Sequence, residues 1–201
     1  MNFKTLQTMQ AKLDEAILAD KAPMTAEERF NKTLVALSVE IAEVANTVEH
    51  FKFWKDNKGK IESGRFAADW DYEGTKFIGY HDYKEGVDYQ ISYEQAHRLT
   101  LIEECSDALH FILSLANQIG VKIVNFGREE STSKEDAFIK LFQCITEIST
   151  STTNAGLTID IILIFNALLT YFCLLGIEPQ ELEQAYYDKN KINYERLENG
   201  Y

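Results

Sequence analysis

Leu34–Trp54 reads LVALSVEIAEVANTVEHFKFW. Its apolar residues Leu34, Leu37, Ile41, Val44, Val48 and Phe51 recur at alternating spacings of three and four, which is one stripe of an amphipathic helix. Glu40 and Glu43 stand beside that stripe, one turn apart on a common face that Ala36, Thr47 and Trp54 continue. Two carboxylates at the edge of a buried seam repel each other and resist desolvation. A divalent cation over them is the economical solution.

A second stretch repeats the arrangement. Ser92-x-x-Gln95 is a capping box that opens a helix running to Gly120, with Leu101, Ile102, Cys105, Ala108, Leu109, Ile112, Leu113, Ala116 and Ile119 as its apolar set. Glu104 and Asp107 lie one turn apart next to that set, with Phe111 and Ser114 continuing their line. Glu103 lacks the three-residue spacing to Asp107 and is set aside as a ligand. Two helices packed through such faces offer four hard oxygen ligands, a donor set that suits Mg²⁺ and phosphate oxygens. Solvated surface acids are the competing explanation of the same spacing. A third feature lies near the C-terminus, where Lys189, Asn193 and Arg196 share one helix face. A point charge, an amide and a flat guanidinium there can bind phosphate oxygens. They can equally serve as cations favouring a helix C-terminus.

The remaining chain reads as helices. Residues 2–20 form the first, with Phe3, Leu6, Met9, Leu13, Ile17 and Leu18 toward the core and Gln10 and Asp14 on another side. Asp20–Met24 is a linker, and Thr25-x-x-Glu28 caps the second helix, which the pattern carries about 45 Å to the turn residues 56–59. Residues 60–91 lose the helical period and crowd Tyr, Phe, Trp, Gly and Asp together, as an ordered loop or short hairpin inserted between two helices. The whole stretch 56–93 separates the two carboxylate pairs. A fourth helix begins at Ser131–Ser133 and ends near Ser151. A fifth spans Leu157–Leu175, and a sixth starts at Pro179. The expected fold is an all-α bundle of about six helices in a single domain over 1–201.

Composition narrows the function classes. The net charge of −12 excludes a basic grip on nucleic acid or anionic lipid. The three cysteines, Cys105, Cys144 and Cys173, sit in apolar helical runs and read as reduced core thiols of a cytosolic protein. The apolar run Ile159–Leu175 is interrupted by Asp160 and Asn166, so a buried helix is expected and no membrane span.

Taken in order, Glu40-Ile-Ala-Glu43, Phe51-Lys-Phe-Trp54-Lys55, Glu104-Cys-Ser-Asp107-Ala-Leu-His110-Phe111 and Lys189-Asn-x-x-Asn193-x-x-Arg196-x-x-x-Gly200-Tyr201 resemble the dimeric all-α dUTPases, within the all-α NTP pyrophosphatase superfamily that includes the MazG proteins. The resemblance runs from about Gln10 to the last residue. It implies two or three Mg²⁺ ions on Glu40, Glu43, Glu104 and Asp107, with Glu40 orienting the attacking water. It implies phosphate contacts from Lys189, Asn193 and Arg196, and a base pocket lined by Gln10 and Trp54. The implied reaction is dUTP plus water to dUMP plus pyrophosphate in a cytoplasmic homodimer, with dUDP as a second substrate and a phage-encoded origin as one source. The alternatives are a broader NTP or dCTP pyrophosphatase, or an acidic module that engages a DNA-binding repressor. The long insertion 56–93 departs from the family's usual tighter connection.

Overall fold

The computed structural model describes residues 1–19, 21–84, 90–148 and 153–200. The chain contains α1 (Phe3–Ala19), α2 (Ala26–Val48), β1 (Phe66–Trp70), β2 (Phe77–Asp82), β3 (Gln90–Ile91), α3 (Tyr93–Gln118), α4 (Lys134–Glu147), α5 (Asn154–Leu174) and α6 (Pro179–Glu198). The all-α expectation holds: among the described residues six helices make the body and a small sheet is added to them. The end expected for the fourth helix, near Ser151, lies outside the described residues.

The helix starts follow from local chemistry. Thr25 and Ser92 each accept the N3 amide, while the Glu28 and Gln95 side chains return a bond to the cap amide, so both capping boxes form as the spacing predicts. Pro179 begins α6, where a missing amide hydrogen costs nothing.

The core forms where α3 is wrapped by its neighbours. Leu37, Ile41 and Val44 of α2 meet Cys105, Ala108, Leu109 and Ile112 of α3; Leu168 and Phe172 of α5 and Leu182 and Tyr186 of α6 close the same cluster. Each such aliphatic side chain contributes about 1.5–3 kcal/mol by leaving water. Gln7 ties α1 to the segment after α3: its Nε2 donates to the Val121 carbonyl at 2.8 Å and its Oε1 accepts from the Ile123 amide at 2.9 Å.

Three expectations need correction. The second helix stops at Val48, well short of residues 56–59. Glu49 takes the left-handed conformation, φ 55°, and its buried carboxylate gathers the next turn: Lys52 Nζ at 2.7 Å, the Gly59 amide at 3.0 Å, and Lys55. Phe51 therefore leaves the apolar stripe and Trp54 the face of Glu40 and Glu43, and both are exposed in that turn. His50 then pins the end of α2, with Nδ1 2.9 Å from Glu135 of α4 and Nε2 2.8 Å from the Tyr171 hydroxyl of α5.

The inserted segment is more regular than a loop. β1, β2 and β3 form an antiparallel sheet in that order, pairing Phe66 with Asp82 and Tyr80 with Ile91. A bulge at Asp69/Trp70 bends its outer edge. Phe66, Ile91 and Ala96 seal the sheet against the start of α3.

The fifth helix is enclosed in its C-terminal half, where Ala167, Leu168, Leu169, Thr170, Tyr171 and Phe172 are all buried, and open in its N-terminal half. Among the described residues it is the one helix long and apolar enough to cross a membrane, with 50% of its apolar window inside the fold. Ile159, Ile162 and Leu163 remain exposed. The three cysteines are free thiols, with Cys105 alone fully buried.

Candidate active site

The acids converge as the helical spacing requires. One carboxylate oxygen from each of Glu40, Glu43 and Glu104 lies within 4.8 Å of the others, so a single ion can touch all three. Packing of α2 on α3 puts them there, because each pair borders the apolar stripe that binds the two helices. Asp107 stands close enough to act electrostatically on both Glu40 and Glu104.

The electrostatics of the cluster favour a nearby positive charge. Burial, then the charges of Asp107 and Glu43, push the Glu40 carboxyl up to about 7. Burial, then Asp107, Glu43 and Glu40, push Glu104 to about 7 as well. Burial also raises Asp107, against the pull of Lys189. Acids that resist ionisation together are acids short of positive charge, and a divalent ion supplies it. The donor set is all oxygen, the preference of Mg²⁺.

Positive groups face the acids from α6. Lys189 Nζ lies 2.7 Å from Asp107 Oδ2 and 3.4 Å from Glu103 Oε1, and the lysine is largely enclosed. A cavity of about 450 Å³ opens there, lined by Gln10, Asp14, Glu40, Asp107, His110, Phe111, Lys189, Asn193 and Arg196 among others. Candidates chosen from four separate helical stretches thus share one hollow. Glu43 and Glu104 join it through the acid cluster. Trp54 does not: its ring is 66% exposed, in the turn that follows α2, and packs edge-on against Phe53.

One end of the cavity is a polar network organised by Gln10. Its Nε2 donates to Asp14 Oδ1 at 2.7 Å, and its Oε1 accepts from the Tyr186 hydroxyl at 3.0 Å. His110 Nδ1 lies 2.6 Å from the same oxygen and is the donor, since a carbonyl oxygen only accepts. Asp14 Oδ2 accepts from Ser114 at 2.7 Å and from Arg29 at 3.0 Å. The His110 ring stacks on Tyr186, centroids 4.0 Å apart. Burial, then the charge of Lys189, lowers His110 to about 3 and keeps it neutral. Its Nε2 is buried with no hydrogen-bond partner among the described residues.

Sequence reading assigned no role to His110, Asp14 or Tyr186, although the Gln10–Asp14 spacing placed that pair on one side of α1. Their connection runs between α1, α3 and α6, which no local pattern reports.

Comparison with curated proteins returns no match. A family model described as dUTPase matches residues 2–66 and 91–201, passing over most of the inserted sheet and covering every acid and cation of the cavity. With six helices around paired acids and nearly the whole chain matched, this protein belongs to the all-α dUTPase family, enzymes of the dUTP diphosphatase class.

Proposed function

We propose that the chain hydrolyses dUTP to dUMP and pyrophosphate with Mg²⁺, and takes dUDP as a second substrate. The observation that carries this reading is the single cavity in which ion-binding acids, phosphate-binding cations and a neutral hydrogen-bonding end meet.

Glu40, Glu43, Glu104 and Asp107 would hold the ions, which when bound neutralise the phosphates and acidify water. Every other role falls to side chains. Lys189 and Arg196 take phosphate oxygens as point charge and fork, and Asn193 adds an amide donor. Glu40, which burial already makes reluctant to give up a proton, orients the water that attacks the α-phosphorus and receives its proton. The P–O bond to the β-phosphate breaks as the new one forms, so pyrophosphate leaves and dUMP stays. At the other end Gln10 contacts the uracil edge. Its amide is held by Asp14, His110 and Tyr186, so it cannot rotate freely to suit a base with a different donor pattern.

The experiment is nucleoside monophosphate formation with purified protein, Mg²⁺ and a panel of dUTP, dUDP, dCTP, dTTP and dATP. dUTP should exceed dCTP by at least about a hundredfold in kcat/KM, the discrimination available when a buried polar edge is mismatched. Equal rates on dCTP would replace the substrate assignment by the broader pyrophosphatase. Glu43→Ala should lower kcat by about a thousandfold or more. Retained activity would remove the acids from the reaction.

The exposed apolar residues Ile159, Ile162 and Leu163 on α5, and Val35 and Val39 on α2, support a homodimer.

A further inference from the structure

Glu103 neighbours the metal-binding acids without belonging to their cluster. It stands at the centre of a chain of ion pairs that begins in the inserted sheet. Asp82, fully buried at the end of β2, holds Arg65 through Oδ1 to Nε at 3.0 Å and Oδ2 to Nη2 at 2.8 Å. Arg65 Nη1 reaches Glu103 Oε2 at 3.1 Å, and Lys84 Nζ lies 3.0 Å from the same oxygen. Glu103 Oε1 in turn lies 3.4 Å from Lys189 Nζ. Three acids, Asp82, Glu103 and Asp107, thus balance three bases, Arg65, Lys84 and Lys189.

Lys189 therefore has two anchors of different kinds. Asp107 is its nearer one, yet that carboxylate is also wanted by cations. Glu103 lies outside the acid cluster and is fixed from behind by two cations. An ammonium restrained by Glu103 stays directed at the cavity mouth whatever Asp107 binds. A lysine without that restraint has four freely rotating bonds and loses them on gripping phosphate. Residues 67–90, which carry Asp82 and Lys84, are the part the family match passes over.

We propose that Glu103 is a positioning residue for Lys189, and that the inserted sheet sets this position through Arg65 and Lys84. The inference rests on the reading of Lys189 as a phosphate-binding lysine. A nucleoside triphosphate should therefore sense the sheet through one carboxylate, without touching the sheet.

The test is steady-state kinetics on dUTP, together with calorimetric binding of a non-hydrolysable dUTP analogue, for wild type, Lys189→Ala, Glu103→Gln, Glu103→Asp, Lys84→Met and the Glu103→Gln/Lys84→Met double variant. Glu103→Gln should raise KM and the analogue Kd about fivefold with kcat changed less than about twofold. Glu103→Asp, which keeps the charge, should recover part of that loss. Lys84→Met should raise both constants about twofold, and the double variant should match Glu103→Gln alone, because Lys84 acts only through Glu103. Unchanged constants in Glu103→Gln, in an enzyme that Lys189→Ala weakens, would overturn the inference and leave the proposed reaction intact. A wild type inert toward dUTP would instead defeat the proposed reaction. If Glu103→Gln fails to fold, Lys84→Met decides alone: its side chain is 38% exposed, and unchanged binding there overturns the coupling.

Discussion

Glu40 and Glu104 hold their protons up to about pH 7, whereas an unfolded glutamate ordinarily releases its own near 4.5. The folded chain therefore binds more protons than the unfolded chain between those values. The stability this contributes is complete below 4.5 and is lost as pH rises through 7. His110 works in the opposite direction, but its contribution is complete once pH passes its ordinary 6.5. The interval from 6.5 to about 8.5 thus reports chiefly the raised acids of the cluster. In chelator, Tm should fall across that interval. Added Mg²⁺ should raise Tm, and more at the upper end, since ions and protons compete for the same oxygens. Calorimetric scans at the two pH values, with and without Mg²⁺, decide it; a metal response independent of pH would detach the acids from the ions. These acids were legible in the sequence because a three-residue interval on a helix is a local geometric statement. The network around Gln10 was not, since His110 is 100 positions away and only tertiary packing joins them.

At the scale of elements, the caps were legible and one helix end was not. Thr25 and Ser92 announce themselves by the glutamate or glutamine three residues on. The stop after Val48 has no such sign. The apolar spacing continues to Phe51, and a glutamate is a poor residue for a left-handed position, so nothing at Glu49 advertises a break. The cause lies in the turn that follows: the carboxylate is drawn inward by Lys52, Lys55 and the Gly59 amide, and those bonds, Lys52 first, hold it down near 2. Glu49→Ala should destabilise the protein by about 2–3 kcal/mol, as expected for removing a buried, hydrogen-bonded carboxylate while keeping the backbone strain. Glu49→Gly should cost about 1 kcal/mol less, because glycine relaxes the left-handed φ. Urea denaturation of both variants checks the order; glycine costing more than alanine would refute this account of the cap. The sheet was equally hard to read, since FAADW and FIGYHD alternate poorly and their partners are set by β2 lying between both neighbours.

At the scale of the molecule, α5 poses the clearest demand. Half of its apolar window is inside the fold, yet Ile159, Ile162 and Leu163 face outward together. Covering them with a second copy removes that surface from water at about 25 cal/mol per Å². Sedimentation should give a dimer at micromolar concentration, and Ile162→Lys should shift it toward monomer while changing folding stability by less than about 0.5 kcal/mol, as for other exposed positions. A wild type that stays monomeric at high concentration would leave the α5 face without this explanation. The sheet, finally, has a geometry of attachment with its own implication. Because β2 lies between β1 and β3, the points where the segment departs from and rejoins the helical body stand only two strand spacings apart, about 10 Å. A peptide bridge of a few residues could span that gap, so the segment resembles a cartridge: a piece that could be gained, exchanged or discarded by splicing at one seam, without redesigning the helices that carry the acid cluster.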